Sequence, residues 1–570
     1  MTGSPISLPT GTLAEAIAST LAQWTAEGRV ARLWNKDATL WTNTGEERWL
    51  GWLDITASQR AELAARTALA DAIRSEGITD VLLLGMGGSS LGPEVLARVI
   101  GAAAGAPTLH VLDSTDPAQV LRFDEAVDLS KTLVLVASKS GSTLEPNVFL
   151  AYFHDRLKQV VDDAQAGRHI VAITDPGSQM QRVAERDGFR AIAFGEPTVG
   201  GRFSVLSAFG TVPAALIGID VARLIDEADH MAQECRREDA ASNPGVALGV
   251  VIGEAARAGR DKLTILASPG IAPLGAWLEQ LVAESTGKNG VAIIPVDREP
   301  VGEPEQYGSD RMFVYLRLTD DVDAAQDALV AELGKAGQPV VQIDVRDTYA
   351  LGQEFVRWEI ATAVAGAILG INPFDQPDVE ASKIKTRALT DAYEQEGALP
   401  PELPVVLDTT LAIFADEANV RALGAVATPA EAIREHLRRV GPGDYVALLA
   451  YVDMTEEHIE TLQDVRGVIG GNGQVATCLG FGPRFLHSTG QAYKGGPASG
   501  VFLQITCDDA KDLPVPGRTF SFGVVKAAQA RGDLGVLEER GRRALRVHLG
   551  EDVAAGLRAL KDAVDTAYDA

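Results

Sequence analysis

Four short motifs carry the residues of this chain whose types and spacing suggest chemistry. In order, they are GMGGSSLGP from Gly85, SKSGST from Ser138, GGRFS from Gly200, and QLVAES followed by TGK from Gln280. The first two follow apolar runs and precede amphipathic segments, which predicts a strand, a small-residue turn and a helix N-terminus in each case. Backbone N–H groups and the positive end of the helix dipole converge at such a turn, and glycine lets an anion approach closely. The motifs therefore predict a site for a phosphorylated, ionisable small molecule.

The SKSGST motif is the predicted phosphate loop. Ser138, Ser140 and Thr143 offer hydroxyl and N–H groups on one small turn, and Lys139 adds a positive charge beside them. The alternative is that these residues only form a tight turn and cap a helix. The presence of a second small-residue loop and of the other motifs favours ligand binding.

The GMGGSS motif superficially resembles a dinucleotide-binding fingerprint, because Gly85, Gly87 and Gly88 follow an apolar run. The fingerprint needs a third glycine three residues after the second, and Ser90 stands there. The motif therefore gives little support to an NAD site, and we predict a sugar phosphate held between two loops.

Gln280 and Glu284 are four residues apart in a helical segment and project from one face beside Trp277. A carboxylate at the edge of an apolar stripe is partly desolvated, which favours a general base; the alternative is a solvated surface carboxylate. Arg202, flanked by small residues, suits the stabilisation of an oxygen anion formed next to a carbonyl. It could equally be a structural ion-pair partner.

Composition and charge exclude several classes of partner. The chain has 570 residues, 46% of them hydrophobic, and a formal net charge of −27, so it should form roughly three or four domain-sized units. The negative charge would repel nucleic acid and anionic membranes, which leaves small molecules or copies of the chain as partners. Cys235, Cys478 and Cys507 match no metal or redox spacing and are predicted to be reduced thiols.

No targeting or membrane segment is predicted. The N-terminal MTGSPISLPT lacks the pattern of a secretory signal. The apolar run from Ile360 to Ile371 is too short to span a bilayer, which takes about 20 residues, and is predicted to be a buried core helix. The protein is therefore predicted to be cytoplasmic.

The elements that must position these motifs alternate between strands and helices, which predicts an α/β fold with parallel sheets covered on both faces. Segments from Val205 to Cys235 and from Phe522 to Leu549 are predicted to be helical. The predicted divisions are a helical lead-in (1–75), a first domain with the phosphate loop (76–235), a second with the candidate base (236–390) and a C-terminal α/β region (391–570).

Taken together, the motifs resemble those of the glucose-6-phosphate isomerase family over approximately residues 80–385. GMGGSSLGP resembles the family's first sugar loop, SKSGST its phosphate loop, and GGRFS its Gly-Arg pair; the Gln-x-x-x-Glu motif is present, and DQPDVEASK supplies a Gln and a Lys seven residues apart. On this resemblance the substrate-binding residues are Gly88, Ser89, Gly201, Gln280 and Gln376, together with Ser138, Lys139, Ser140 and Thr143 of the phosphate loop.

The resemblance implies a fold of two three-layer αβα sugar-isomerase domains with parallel sheets, followed by the C-terminal α/β region. It also implies interconversion of glucose 6-phosphate and fructose 6-phosphate in glycolysis and gluconeogenesis, with no metal or organic cofactor. Lys383 would assist ring opening, Glu284 would move the proton from C2 to C1 through an enediolate, and Arg202 would stabilise the negative oxygen. A homo-dimer is implied as well.

One position departs from the family pattern. The family places a ring-opening His, supplied by the neighbouring subunit, in a Gly-Glu-Pro loop, and this chain has Asp310 there. His487, in the polar loop RFLHSTGQAYKGGP of the C-terminal region, is the predicted substitute. A lone loop His is more often simply exposed.

Three alternatives concern the breadth of the function. The lead-in and the C-terminal region resemble the isomerase part of bifunctional transaldolase and glucose-6-phosphate isomerase proteins, but too few residues precede position 80 for a (β/α)₈ barrel, so transaldolase activity is not predicted. An isomerase that also accepts mannose 6-phosphate remains open. A non-catalytic sugar-phosphate sensor is less consistent with a base and an anion-stabilising Arg in the same chain.

Overall fold

Three β-sheets, each formed by a different stretch of the chain, organise the molecule. The computed structural model describes residues 12–568. The N-terminal residues on which the prediction of no secretory signal rests lie outside this range. The lead-in forms three helices: α1 (Thr12–Ala26), α2 (Arg29–Trp34) and α3 (Ile55–Ser75).

The first sheet has five parallel strands in the order β2-β1-β3-β4-β5. These are β1 (Asp80–Leu84), β2 (Thr108–Leu112), β3 (Thr132–Ala137), β4 (Ile170–Thr174) and β5 (Ala191–Phe194). Leu82 and Leu84 enter one core cluster and Val81 and Leu83 the other, so helices cover both faces. The strand order reverses between β1 and β3, and ligands of open α/β sheets bind at such a point, beyond the carboxyl ends of the strands.

Helices of the first sheet region are α4 (Leu91–Val99), α5 (Pro117–Ala126), α6 (Leu144–Val160), α7 (Asp163–Ala166), α8 (Gln179–Arg186), α9 (Ala208–Leu216) and α10 (Val221–Glu234). The region predicted to be helical from Val205 to Cys235 contains two helices, α9 and α10. Gly218, with φ +79°, lies just after α9, where a left-handed residue ends a helix.

The second sheet has four parallel strands in the order β7-β6-β8-β9. Its strands are β6 (Lys262–Ala267), β7 (Ile294–Asp297), β8 (Arg311–Leu318) and β9 (Val340–Val345). Its helices are α11 (Pro244–Arg257), α12 (Leu274–Thr286), α13 (Ala324–Lys335), α14 (Leu351–Leu369) and α15 (Pro377–Glu396). Both sheets thus place a reversal of strand order next to their first strand.

Helix α14 contains most of the apolar run from Ile360, and its residues Ile360–Gly366 are all buried, which confirms the prediction of a core helix. It packs with α10 and α11 in one hydrophobic core that also takes Trp24 from the lead-in. This shared core crosses the predicted division at residue 235, so the domain boundaries stay a prediction. Within the part of the chain that the structure describes, no helix is long and apolar enough to cross a membrane.

The third sheet has six strands in the order β10-β11-β15-β14-β12-β13. These are β10 (Val406–Leu407), β11 (Ala412–Phe414), β12 (Tyr445–Tyr451), β13 (Ala476–Phe481), β14 (Gly500–Thr506) and β15 (Arg543–His548). Strands β12 to β15 are parallel, and β10 and β11 join them as an antiparallel edge. The helices are α16 (Glu417–Leu423), α17 (Pro429–Leu437), α18 (Glu456–Gly473), α19 (Gly490–Gly495), α20 (Phe522–Glu539) and α21 (Val553–Tyr568).

The helix predicted from Phe522 to Leu549 ends ten residues early, and that part of the prediction was wrong. After α20 the chain turns at Gly541, with φ +66°, and Arg543–His548 forms strand β15. Ala544, Leu545 and Val547 are fully buried because β15 lies between β14 and β11 inside the sheet. The α/β fold class with parallel sheets and a C-terminal α/β region is confirmed.

Candidate active site

The first and third motifs pack directly against each other. The loop after β1 forms a short 3₁₀ turn, Gly87–Ser89, and the GGRFS motif forms another, Gly201–Phe203. A Cβ atom on Gly88 would collide with the backbone oxygen of Gly201. A glycine at residue 88 is therefore required by the close approach of two loops, and Ser89, half-buried, lies beside this contact.

Gly87 brings the fourth motif and His487 to the same place. It has φ +59°, and a Cβ there would lie 2.9 Å from Gln280 Nε2 and 3.0 Å from the Cβ of His487. Gln280 Nε2 also donates a hydrogen bond to the backbone oxygen of His487 at 2.7 Å. Segments from all three sheet regions therefore meet around this turn.

Arg202 is 2% exposed and surrounded by acceptors. Its Nε donates to Ser285 Oγ at 2.7 Å, its Nη1 to Gln376 Oε1 at 3.1 Å, and its Nη2 to the backbone oxygens of Pro373 at 2.6 Å and Asp375 at 3.1 Å. Nη1 also lies 3.2 Å from Glu284 Oε1. Burial lowers the pKa of Arg202, and the charges of Glu284 and Asp375 counteract that effect. The guanidinium is fixed in one orientation.

Glu284 lies near the end of α12 and is 7% exposed, so it is not the solvated surface carboxylate of the alternative interpretation. One carboxylate oxygen pairs with Arg202, and the other accepts a hydrogen bond from Gln280 Nε2 at 3.2 Å. The spacing of four residues on one helix produces this second contact. Gln280 Oε1 is buried and has no donor among residues 12–568.

Lys288 is a second buried cation behind Arg202, and the sequence reasoning quoted its TGK motif without giving it a role. Its Nζ donates to the backbone oxygen of Asp375 and, at 2.9 Å, to Asp375 Oδ1. The same backbone oxygen accepts a hydrogen bond from Arg202. Burial, and then the nearby charge of Arg202, lower the pKa of Lys288 to about 8.

The phosphate loop is a tight turn between β3 and α6. Gly141 has φ +70°, and a Cβ there would collide with the backbone of Met180. Ser138 Oγ accepts a hydrogen bond from the Gly141 N–H at 3.2 Å, so this hydroxyl supports the turn. Ser140 is exposed, and Thr143 precedes the first residue of α6, whose first-turn N–H groups have no partner within the helix.

The Lys139 ammonium has partners of its own. It forms an ion pair with Asp175 and donates to the backbone oxygens of Glu196 at 3.1 Å and Pro197 at 3.2 Å. These contacts join the phosphate loop to the ends of β4 and β5. The predicted role of the Lys139 charge toward a phosphate therefore competes with a structural ion pair.

A cavity of about 560 Å³ opens in front of the phosphate loop. Ser140, Thr143, Lys383 and His487 line it, together with Glu145 from the first turn of α6. Ser138 and Lys139 are not among its lining residues. Arg202 and Glu284 do not line the cavity; their cluster connects to it through His487, a lining residue whose backbone oxygen accepts a hydrogen bond from Gln280.

Comparisons with known proteins show which family the chain resembles. A sequence model described as phosphoglucose isomerase matches residues 67–297. A glucose-6-phosphate isomerase from Rubrobacter xylanophilus is 32% identical over 379 residues, which are 58% of this chain and 86% of the relative. The chain belongs to the phosphoglucose isomerase family. A probable glucose-6-phosphate isomerase from Methanococcus maripaludis is 30% identical over 54% of this chain and 78% of its own length.

Solved structures agree with this family fold. A hypothetical protein from Thermus thermophilus has 26% sequence identity and a TM-score of 0.58, covering 67% of this chain and 99% of that chain. A glucose-6-phosphate isomerase from Chlamydia trachomatis, with 20% identity, has a TM-score of 0.50 and covers 60% of this chain and 74% of its own. The family match ends at residue 297, so Gln376, Lys383 and His487 lie beyond it.

His487 is held by a carboxylate that the sequence reasoning missed. The ring Nε2 lies 3.1 Å from Glu145 Oε1, which also accepts a hydrogen bond from Gln529 Nε2 at 2.6 Å. Burial would raise the pKa of Glu145, but His487, the backbone N–H and Lys383 lower it overall. An acidic residue in the first turn of the helix after the phosphate loop was the available signal.

Asp310, which stands where the family pattern has a His, lies elsewhere. Its carboxylate is 3.5 Å from Lys262 Nζ, at the beginning of β8, and it does not line the cavity. Lys262 also contacts the backbone of Gly443 in the third region. Asp310 therefore belongs to a structural ion pair within the second sheet region, and the lysine of that pair also contacts the third region.

One group among residues 12–568 has the composition of a metal site: Asp116, Cys507 and Asp509, whose ligand atoms lie within 4.8 Å of one another. Lys526 Nζ lies among them, 2.9 Å from Asp116 Oδ2 and 3.4 Å from Cys507 Sγ, and pairs with Asp509 as well. The ammonium pairs with both carboxylates and balances one of their two negative charges. This group therefore serves to dock α20 onto the first region, and it lies outside the cavity lining.

Proposed function

We propose that this chain interconverts glucose 6-phosphate and fructose 6-phosphate, with Glu284 as the base that moves the proton between C2 and C1. Family membership makes it an aldose–ketose isomerase of a hexose phosphate. The observation that supports this assignment is the pairing of a buried carboxylate with a fixed guanidinium, Glu284 and Arg202, beside a cavity that ends at the phosphate loop.

The phosphate is proposed to bind at exposed Ser140 and half-buried Thr143, whose hydroxyls adjoin the N-terminus of α6. Helix N-termini bind phosphate because their first N–H groups point outward and the dipole favours negative charge. The side chains of Ser138 and Lys139 would support the loop rather than bind the phosphate, because both have other partners. Lys383 lines the cavity with its side chain 42% exposed, and its long, exposed pair with Glu380, at 3.7 Å, is weak enough for the ammonium to turn toward the ligand.

Ring opening is the proposed task of His487 and Lys383. The His487 ring lines the cavity and contacts Glu145, which can hold an imidazolium while a proton moves to or from the substrate. One group would donate a proton to the ring oxygen while the other accepts the proton of the C1 hydroxyl. The product of this step is the open-chain aldose.

Proton transfer follows at the buried cluster. Glu284 would remove the C2 proton, the C1=O double bond would become a C1–O⁻ bond, and the enediolate would form beside Arg202. Transfer of the C2 hydroxyl proton to O1, with formation of the C2=O bond and return of the first proton to C1, gives the ketose. General acid–base catalysis contributes about 10²–10⁴-fold and a fixed oxyanion partner about 10²–10³-fold. Gln280, whose buried Oε1 has no donor within residues 12–568, and the Gly88 and Gly201 backbones would orient the hydroxyls.

Two finer points belong to this proposal. Every group named here comes from one chain, so this proposal calls on no residue of a neighbouring subunit, whether or not the predicted dimer forms. The cytoplasmic location and the tolerance of mannose 6-phosphate stay predictions. A sensor without turnover would leave the Glu284 and Arg202 pair without a purpose.

The test is Glu284→Gln, which keeps the shape of the side chain and removes the base. Turnover should fall by about 10³-fold or more while binding of fructose 6-phosphate changes little, because the phosphate contacts lie elsewhere. Steady-state assays would measure turnover, and calorimetric titration would measure binding of fructose 6-phosphate. Near-normal turnover would reject Glu284 as the base.

Glu279→Gln is the matched control on the same helix. Burial raises the pKa of Glu279 to about 8, with Asp297 adding to the effect, so its carboxyl is mostly protonated at neutral pH. An amide should therefore replace it with little change in turnover. A comparable loss in both variants would indicate damage to α12 rather than loss of a base.

A further inference from the structure

Arg484 and His487 begin and end the same short turn. The turn is a 3₁₀-helix, Arg484–His487, and residues three apart in such a helix lie on one face. Between them, Phe485 and Leu486 are 2% and 6% exposed and belong to a core cluster of the third sheet. The third region therefore anchors the middle of the turn and presents its two polar ends together.

The Arg484 guanidinium reaches two elements of the first sheet region. Nη1 lies 2.7 Å from Glu94 Oε2, and Nε lies 2.8 Å from Asp113 Oδ2. The angles of the Asp113 contact are not those of a hydrogen bond, so it acts as an ion pair. Glu94 is on α4, directly after the first sugar loop, and Asp113 directly follows β2.

We propose that Arg484 is a positioning residue for His487, fixing the turn so that the imidazole faces the sugar ring; this inference rests on the proposed role of His487 in ring opening. The turn is then held at three points. Glu145 contacts the imidazole, Gln280 binds the His487 carbonyl, and Arg484 fixes the opposite end of the turn.

The geometry explains why a charge is needed at residue 484. The His487 ring has a single hydrogen-bond partner within residues 12–568, so its orientation depends on how firmly the turn is held. The buried middle of the turn and the Gln280 contact hold it from the third and second regions, and the Arg484 ion pairs to α4 and the end of β2 hold it from the first region. Because α4 also follows the sugar loop, Arg484 sets the His487 turn relative to the loop that binds the substrate.

The first test measures the accessibility of the His487 ring and does not depend on a turnover assay. Carbethoxylation of His487 by diethylpyrocarbonate, followed by peptide mass spectrometry, measures how accessible the ring is; its side chain is 13% exposed. Arg484→Ala should raise the modification rate by about tenfold, because a turn released from one side no longer keeps the ring against Glu145. An unchanged rate would overturn the inference.

The second test reads the chemical step. Arg484→Ala should lower kcat/KM for glucose 6-phosphate by about tenfold, yet change it less than about twofold for a four-carbon aldose 4-phosphate, which has no hydroxyl placed to close a ring. Arg484→Lys should restore most of the loss, because an ammonium can still lie between the two carboxylates. Equal losses on both substrates would contradict a positioning role.

Arg122→Ala is the matched control. Arg122 also joins the first region to the third, through a two-pronged contact with Asp453 at 2.7 and 3.2 Å, but it lies away from the turn. Neither readout should change in this variant. Changes equal to those of Arg484→Ala would assign the effect to docking of the third region as a whole, against the inference.

Loss of Arg484 leaves Asp113, which is 1% exposed, without its cation, so the variant could fail to fold, whereas Glu94 keeps its pair with Arg98. Combining Arg484→Ala with Asp113→Asn removes the buried charge of Asp113, and the turn still lacks its ion pairs to the first region. The double variant should fold and show the same rise in modification and the same selective kinetic loss. If modification rises without a selective loss, Arg484 positions His487 but His487 does not open the ring, which separates failure of the proposed function from failure of the inference.

Discussion

Arg202 and His487 are both proposed to act on the same sugar, yet the chain holds them by different means. Arg202 has acceptors on Nε, Nη1 and Nη2 and is 2% exposed. His487 has one contact to its ring, stands on a turn from the third region and borders a cavity. Arg202 is held by residues of the first two sheet regions, whereas His487 belongs to the third region and reaches the site on a turn.

The difference corresponds to what each group has to do. A charge that stabilises an enediolate works best when it needs no reorientation during the reaction, so complete hydrogen bonding around Arg202 is an advantage. A group that exchanges protons with a cyclic sugar must reach the ligand and lose a proton again. We therefore expect variants in the Arg202 cluster to lose turnover on every substrate, and variants in the His487 turn to lose it only where a ring must open.

The largest effect in this comparison is expected from Arg202→Lys. An ammonium cannot satisfy five acceptors or keep the planar fork in place, so turnover should fall by about 10²–10³-fold on both cyclic glucose 6-phosphate and an acyclic four-carbon aldose phosphate. Steady-state kinetics with the two substrates measure this. A loss confined to the cyclic substrate would place Arg202 in ring opening and break the comparison.

Arg186→Lys provides the control for the Arg202 substitution. Arg186 makes a two-pronged contact with Asp187, at 2.6 and 2.7 Å, on the surface, where its side chain is 71% exposed. Exposed ion pairs contribute about 0–1 kcal/mol, so turnover and stability should stay close to those of the unmodified protein.

A smaller and selective effect is expected from His487→Ala. It should slow reaction of cyclic glucose 6-phosphate by about 10- to 100-fold, less than loss of the base, because Lys383 and spontaneous ring opening remain. The acyclic substrate should react at nearly the normal rate. Equal rates of loss on both substrates would remove His487 from ring opening.

His458→Ala controls for the loss of any histidine from the third region. The His458 ring nitrogen lies 2.8 Å from the backbone oxygen of Asp453, and the residue does not line the cavity. Turnover on both substrates should be unaffected. A selective loss in this variant would show that the third region influences ring opening without a specific role for His487.

Local patterns in the sequence carried much of the fold and of the Arg202 cluster. Apolar runs of the length of β1 and β3 followed by small-residue turns predict strands and loops, and the four-residue spacing of Gln280 and Glu284 predicts their contact. Both predictions depend only on neighbouring residues. Strand β15 was missed because its short run follows a strong helix, and its place inside the sheet depends on distant β11 and β14.

Contacts between regions could not be read from the sequence. The pairing of Lys139 with Asp175, of His487 with Glu145 and of Arg484 with Asp113 joins residues that are far apart in the chain. The sequence shows these charged residues one by one, and no spacing between them indicates which two will pair. The phosphate loop illustrates the consequence. Lys139 stands in the predicted motif, but its ammonium forms an ion pair with Asp175.

The smallest expected effect concerns the charge behind Arg202. Arg202 and Lys288 share the Asp375 carbonyl, and the charges facing Lys288 are those of Arg202, Asp375 and Glu284. The pKa of Lys288 is lowered to about 8, so its ammonium is lost as the pH rises above that value. Removing a positive charge from behind Arg202 weakens the field at the enediolate, and kcat/KM should decline by about three- to tenfold on the alkaline side.

Lys288→Arg tests this explanation, because a guanidinium stays charged throughout the range and should remove the decline in kcat/KM above pH 8.

The pH dependence of the free energy of unfolding is a second test of the Lys288 pKa. Since the pKa of Lys288 is lower in the folded chain than the value of about 10.4 for an exposed lysine, the unfolded chain binds more protons between pH 8 and 10, and this group should raise the free energy of unfolding over that range. Urea unfolding of the protein and of Lys288→Met would show whether this rise depends on Lys288. If the alkaline decline in kcat/KM persists in Lys288→Arg, another group causes it. The charge of Lys288 would then not contribute to catalysis by the Arg202 cluster.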